Sequence, residues 1–381
     1  MTGPPAPRIT RLILQDFRSY VALDLVVDAG MVAVSGENGA GKTNLLEAMS
    51  LFAAGRGLRR AELAEIARAG GPGTFQASIR IASAGSEHRL GLGIAATDAG
   101  GLARLCRIDG AAVPSATAFA EHCRIVWLTP ALDGLFTGAA GDRRRFLDRL
   151  VLAVDSGHGS RVNALDRALR SRNRLLEAER PDPAWLDAVE REVAETGVAV
   201  SAARRETVER LAALVAAGRD DASPFPWAAL ELSGPLEAEL ACRPALDVED
   251  LYRGWLREGR ARDRAAGRTL VGPQAADLVV RHGPKDVAAA SASTGEQKAL
   301  LIGLVLAHAR LVAAMTGIVP MVLLDEVAAH LDPRRRAALY ARLADLGGQV
   351  WMTGADRALF DDLPAGAVRF EVESGRVVPL R

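Results

Sequence analysis

Residues 35–44 read SGENGAGKTN, and that stretch decides how the rest of the chain is understood. Gly36, Gly41, Lys42 and Thr43 fit the G-x-x-x-x-G-K-[ST] spacing in full, with Glu37, Asn38, Gly39 and Ala40 filling the loop. Glycine allows positive φ, so successive amides can converge on an anion. The lysine then supplies a point charge and the threonine a hydroxyl for a metal. Before the loop, Met31-Val32-Ala33-Val34 reads as a short buried strand. After it, Leu45, Ala48, Met49 and Phe52 recur at helical spacing across residues 44–54. Strand, glycine loop and helix form the setting in which a helix N-terminus binds phosphate.

A phosphate loop alone leaves its metal and its water unplaced, so a carboxylate is expected at the end of an apolar strand. Val322-Leu323-Leu324 runs into Asp325 and Glu326. Asp325 is expected to hold Mg²⁺ opposite the Thr43 hydroxyl, and Glu326 to polarise the attacking water, with Lys42 as the other catalytic group. Residues 291–311, SASTGEQKALLIGLVLAHARL, begin as a small polar turn and continue as an apolar-faced helix. Ser293 and Gly295 at that helix start make a second anion site.

The 381 residues leave room for one or two domains, and 49% apolar with 25% charged residues is ordinary for a globular chain. No uninterrupted apolar run reaches membrane-span length, and MTGPPAPRIT carries no signal-peptide core, so a cytoplasmic protein with no membrane partner is expected. Cys106, Cys123 and Cys242 lack metal-ligand spacing and read as reduced thiols. A net charge of +0 leaves nucleic acid neither favoured nor disfavoured. Local charge says more: residues 142–180 hold ten arginines against six acids, and residues 253–268 six against two. Such clusters read as solvated helix faces or as a phosphate-backbone surface.

Alternation in RITRLILQDF and VALDLVV predicts two antiparallel strands, and FQASIRIA, HRLGLGIAA and LARLCRIDG three more. Residues 142–268 read as helices punctuated by Pro181, Pro183, Pro224, Pro226, Pro235 and Pro244, too interrupted for a coiled-coil rod. Strands and helices alternate again from Thr269, with a helix opening at Pro333 and a closing hairpin turning at Ser374-Gly375. The expected architecture is α/β: a phosphate-loop head with a mixed sheet and an antiparallel N-terminal sheet, built from residues 1–141 and 269–381. A compact helical arm of residues 142–268 is inserted between those halves.

Ala292-Ser293-Thr294-Gly295-Glu296 resembles the signature motif of ABC-type ATPases. Within that superfamily the chain resembles the RecF family. The resemblance rests on LILQDFRSY (12–20), GENGAGKTNLLEA (36–48), GRGLRR (55–60), RRRFLD (143–148), TLVGPQAADL (269–278) and LLDEVAAHLD (323–332). It implies a weak ATPase used as a switch, and ATP sandwiched in a head-to-tail homodimer with Ser293 and Gly295 engaging it in trans. Asp332, after Leu331, would be the loop that links the two ATP sites. Arg18 would reach the nucleotide. The implied partners are DNA at gaps and single-strand/double-strand junctions, RecO and RecR, with a functional link to RecA and a cytoplasmic, nucleoid-associated location. Arg56, Arg59, Arg60, Arg143, Arg144 and Arg145 are the candidate DNA contacts. Three positions depart from ABC or RecF patterns. IVWLTPALDGLF lacks the usual glutamine, Thr353 stands where a histidine is common, and Glu326 occupies a position where RecF relatives often have aspartate. The competing reading, an ABC-type subunit energising a membrane protein or another partner, expects a much shorter interval than the 253 residues between Lys42 and Gly295.

Overall fold

The computed structural model describes residues 6–83, 85–97, 101–220, 223–328 and 331–380. The chain divides into two compact units, one comprising Met1–Asp133, Asp221–Pro226 and Ser293–Arg381, the other Gly134–Asp220 and Trp227–Ala292.

The first unit carries two six-stranded sheets. One is antiparallel throughout and uses β1 (Arg8–Phe17), β2 (Tyr20–Val26), β4 (Phe75–Ser83), β5 (Ser86–Ala96), β6 (Leu102–Ile108) and β7 (Ala111–Val113), in the order β2-β1-β4-β5-β6-β7. The other uses β3 (Met31–Ser35), β8 (Ile125–Leu128), β12 (Met321–Leu324), β13 (Val350–Gly354), β14 (Val368–Glu373) and β15 (Arg376–Leu380), in the order β15-β14-β3-β13-β12-β8. Its pairings are parallel except for the β14–β15 hairpin, which turns at Ser374 and Gly375, both at positive φ. A continuous apolar core joins the sheets: Leu12, Leu14, Ile79 and Leu90 from one meet Val32, Leu323 and Trp351 from the other. Buried Gln349 stitches the sheets together, accepting from the Ile9 N–H at 2.9 Å and donating to the Ile9 and Ala29 carbonyls.

This unit is completed by helices α1 (Lys42–Ser50), α2 (Leu63–Ile66), α9 (Thr294–Thr316) and α10 (Pro333–Asp345). Helix α1 begins at Lys42, two residues before the apolar periodicity starts, because Gly41 at φ 119° turns the loop straight into it. Helix α9 is long and apolar enough to cross a membrane, but Leu300, Leu301, Leu304, Val305 and Val312 are buried, as befits a core helix.

The second unit holds α3 (Ala140–Val154), α4 (His158–Glu177), α5 (Pro183–Ala217), α6 (Pro235–Leu240), α7 (Ala245–Glu258) and α8 (Arg260–Ala266). Its small sheet has the order β11-β10-β9, from β9 (Ala228–Ser233), β10 (Asp277–His282) and β11 (Val287–Ala288). The prolines start helices here: Pro183 and Pro235 occupy first positions, and Pro244 caps α7. Gly197 lets α5 approach α7, since a Cβ there would come within 2.9 Å of the Tyr252 ring.

Two expectations are corrected. The arm is not purely helical, and its boundaries are not 142 and 268. Strand β9 pairs with β10 over six residues, which draws the segment after Thr269 into the arm unit. Residues 223–226 instead belong to the first unit, where the Arg342 guanidinium lies 5.2 Å above the Phe225 ring.

Candidate functional site

The phosphate loop leaves β3, whose five residues are all buried, at the C-terminal edge of the parallel strands. Its glycines are obligatory on two counts. A Cβ at Gly36, φ 147°, would come within 2.4 Å of the Val372 carbonyl, and one at Gly41 within 2.8 Å of the Ser19 hydroxyl. The Tyr20 hydroxyl donates to the Gly41 carbonyl at 3.0 Å and fixes the loop's exit.

Lys42 is buried inside the loop. Its ammonium donates to the Gly36 carbonyl at 2.7 Å and the Glu37 carbonyl at 3.0 Å, and lies 3.3 Å from the Glu326 carboxylate. Asp325 follows β12, Thr353 lies in β13, and β13 is the strand between β12 and β3. Register therefore brings Thr43, Thr353 and Asp325 together. The Thr43 hydroxyl donates to Asp325 at 2.9 Å and the Thr353 hydroxyl at 2.8 Å, while Thr353 Oγ1 accepts the Glu326 N–H at 3.0 Å. Thr353 thus grips both acids. Glu326 sits at φ 53°, a conformation that costs a non-glycine residue energy and persists because its surroundings hold it.

Burial pushes the Asp325 carboxyl above its ordinary range, the two hydroxyls pulling back against that shift. Among the described residues no ammonium or guanidinium pairs with it, Arg59 acting only at longer range. A buried carboxylate beside a threonine hydroxyl is a hard-oxygen donor set that fits magnesium, which completes its shell from phosphate and water. Among the described residues no cluster of three His, Cys, Asp or Glu offers a rival metal site.

The raised carboxyl has a thermodynamic sign. A folded-state value above the unfolded one means stability is greatest at low pH and is lost as pH rises through the folded value. In the nucleotide-free protein at neutral pH, Asp325→Asn should therefore raise the melting temperature, while Mg²⁺-ATP should stabilise the variant far less than the parent. Differential scanning fluorimetry with and without Mg²⁺-ATP measures both shifts.

Beside this pocket, the buried Glu47 of α1 receives two guanidiniums. Arg18 reaches it at 2.9 and 2.6 Å and also donates to the Glu65 carbonyl; Arg59 bonds both Glu47 and, at 2.8 Å, Asn44. Arg18, expected at the nucleotide, is in this structure held by Glu47.

Ser293 caps α9 in a reciprocal box with Glu296, whose carboxylate accepts from the Ser293 N–H at 3.1 Å. Ser293, Thr294 and Gly295 are exposed, and Arg335 approaches the Gly295 carbonyl at 3.5 Å. Asp332 caps α10 and accepts from the Arg335 N–H.

The arginines expected to face DNA separate. Arg56 and Arg60 are exposed, and Arg145 pairs with Asp142 on the surface. Arg59 is bonded to Glu47. Arg143 forms a fork on Asp277 at 2.8 and 2.7 Å, and Arg144 donates to the Ala276 carbonyl. The RRRFLD and TLVGPQAADL stretches are thus tied to each other inside the arm, because two guanidiniums find acceptors there. Sequence reasoning missed Glu47 and the double role of Thr353. The acid in NLLEA and the threonine ending an apolar strand were the only signals available.

The family model for the RecF/RecN/SMC N-terminal domain matches residues 8–365. The chain is 53% identical over 369 residues to the DNA replication and repair protein RecF of Rhizobium meliloti (strain 1021), covering 97% of this chain and 98% of the relative. It is 52% identical to that of Mesorhizobium japonicum, with 99% of each covered. The solved structure of the recombination mediator protein RecF bound to ATP, in the RecFOR pathway, superposes with a TM-score of 0.86 at 21% identity, covering 100% of this chain and 99% of that one. An SMC head domain from Pyrococcus furiosus shares the fold at a TM-score of 0.53 and 16% identity, covering 98% of this chain and 96% of that one. Phosphate loop, strand-end acids, signature helix and full-length identity agree: the chain belongs to the RecF family of DNA replication and repair proteins, with an SMC-type ATPase head.

Proposed function

We propose that this protein is an ATP-driven clamp of recombinational repair and replication. ATP draws two copies together head to tail on DNA near single-strand/double-strand junctions, and slow hydrolysis lets them part. RecO and RecR act with it in loading RecA at gaps, in the cytoplasm at the nucleoid. The observation that carries this reading is the exposed signature. Ser293 and Gly295 bond to Glu296 and Arg335, not to any residue of the phosphate loop, so a nucleotide on Gly36–Thr43 of one copy finds its second set of donors on another.

The pocket suggests how binding and hydrolysis are ordered. Lys42 is shared between two loop carbonyls and Glu326, so before nucleotide arrives the carboxylate is engaged by the ammonium and not by water. An incoming phosphate competes for Lys42, and Glu326 is then released to accept a proton from water. Thr353 keeps Asp325 and the Glu326 backbone in register throughout. Magnesium, held on Thr43 and Asp325, would neutralise phosphate charge.

Ser293→Arg tests the sandwich. ATP binding by the monomer should persist, while ATP-dependent dimers on gapped DNA should vanish from sedimentation profiles. A variant that still dimerises with ATP would overturn the trans contact, and a parent that stays monomeric with ATP and gapped DNA would overturn the clamp.

A further inference from the structure

We propose that the solvent face of the antiparallel sheet in the nucleotide-binding unit is a platform for a nucleic-acid backbone, with Arg89 and Arg107 as phosphate contacts. The inference rests on the DNA-binding reading above and assigns it to a surface none of the sequence motifs mark. Register places Arg11 of β1 opposite Arg80 of β4, Arg80 opposite Arg89 of β5, and Arg107 of β6 opposite Gly91, two residues beyond Arg89. Four neighbouring strands thus each contribute one arginine to the same face, over a width of about 14 Å at ~4.8 Å per strand. The opposite face carries Leu12, Ile79, Ile81, Leu90 and Cys106 into the core, so the arginine face is the outer one.

Two features separate this row from an ordinary solvated sheet. Like charges directly opposite each other destabilise a sheet, yet three arginines stand in one cross-strand row. Two of the four are answered, Arg11 by Asp24 at 2.7 Å and Arg80 by Glu87 at 3.2 Å. Arg89 and Arg107 are not. Arg89 donates to the Ser78 hydroxyl and Arg107 to the Gly110 carbonyl, both at 3.3 Å, and among the described residues neither has a carboxylate partner. The nearby Asp109 carboxylate is bound by the His88 ring and the Arg89 backbone N–H. Beside the row, Ser78 stands opposite Gly91 and Gln76 opposite Gly93, so glycines and polar groups leave low ground next to Arg89 and Arg107. The exposed large apolar groups on this face are Leu105 and, on the edge strand, Val26. A protein partner would need an aromatic or apolar anchor at its centre, whereas a polyanionic backbone needs spaced guanidiniums and room.

The test is the salt dependence of gapped-duplex affinity, with ATP present, for the parent and for Arg89→Ala/Arg107→Ala. Each lost phosphate contact lowers the slope of log affinity against log salt by about one, so the double variant should lose about two and bind more weakly at every sequence. Arg89→Lys/Arg107→Lys should keep the parental slope, and ATP binding and melting temperature should not change in either. A parent that binds DNA and a double variant that binds it with the same slope overturn the platform and leave the clamp standing. The platform falls equally if DNA binding is kept and only association with an acidic protein is lost. A parent that binds no DNA overturns both.

Discussion

Replacing Glu326 by glutamine should cut ATP turnover by about 10²- to 10⁴-fold, the range lost when a positioned general base is removed. ATP affinity should be kept or modestly raised. The amide keeps the size of the side chain and its backbone bond to Thr353, but it can neither accept the proton from water nor pair with Lys42. The ammonium then loses its ionic partner and keeps neutral acceptors, the Gly36 and Glu37 carbonyls among them, which favours phosphate. The variant should therefore accumulate ATP-bound dimer. Single-turnover hydrolysis read beside nucleotide retention on a filter separates the two effects. A fall of only a few-fold would mean that the water is activated elsewhere.

The second large effect lies in the arm. Arg172 is fully buried, and its guanidinium bonds Glu190 at 3.0 Å, Asp263 at 2.8 Å, the Thr269 hydroxyl at 2.7 Å and the Leu256 carbonyl at 2.7 Å. One side chain from α4 thus satisfies groups on α5, α7 and α8 and in the TLVGP stretch. Arg172→Ala would leave Asp263 buried without its cation, and breaking a buried pair in this way costs about 3–5 kcal/mol. Arg172→Lys should rescue little, because an ammonium cannot span four acceptors held in a planar fork. Urea unfolding followed by tryptophan fluorescence reports it, since Trp185, Trp227 and Trp255 lie in the arm unit. A variant unfolding at the parental midpoint would show that the network is dispensable.

What the sequence conveys divides along physical lines. Phosphate chemistry tolerates few residue types, so Gly36, Gly41, Lys42, Thr43, Asp325 and Glu326 can be read directly. Strict alternation likewise exposes β1, β2, β4, β5 and β6. Strand β9, AALELS, is made of good helix formers and is a strand only because β10 pairs with it from the far side of α6, α7 and α8. Local propensity carries no trace of such a pairing, which is why the arm reads as helical. The bonds of Arg143 and Arg144 to Asp277 and Ala276 are hidden by the same blindness, since those acceptors lie far along the chain. Charge runs reveal composition, not partners.

The order of strands in the parallel sheet also has a bearing on synthesis. Strand β3, which launches the phosphate loop, pairs with β13 on one side and β14 on the other, so Met31 meets Val350 and Val32 meets Val368. At typical elongation rates of about 5–20 residues per second, β3 emerges about 15–60 s before either neighbour exists. The nucleotide pocket therefore cannot be assembled, and ATP cannot act as a folding ligand, until β13 and β14 have been made. The arm, whose elements are all made before β12, has its whole sequence available earlier. In a ribosome-stalling series, protection of the arm from protease should precede nucleotide-dependent protection of the head, and the gap between them should be set by the time needed to reach β14.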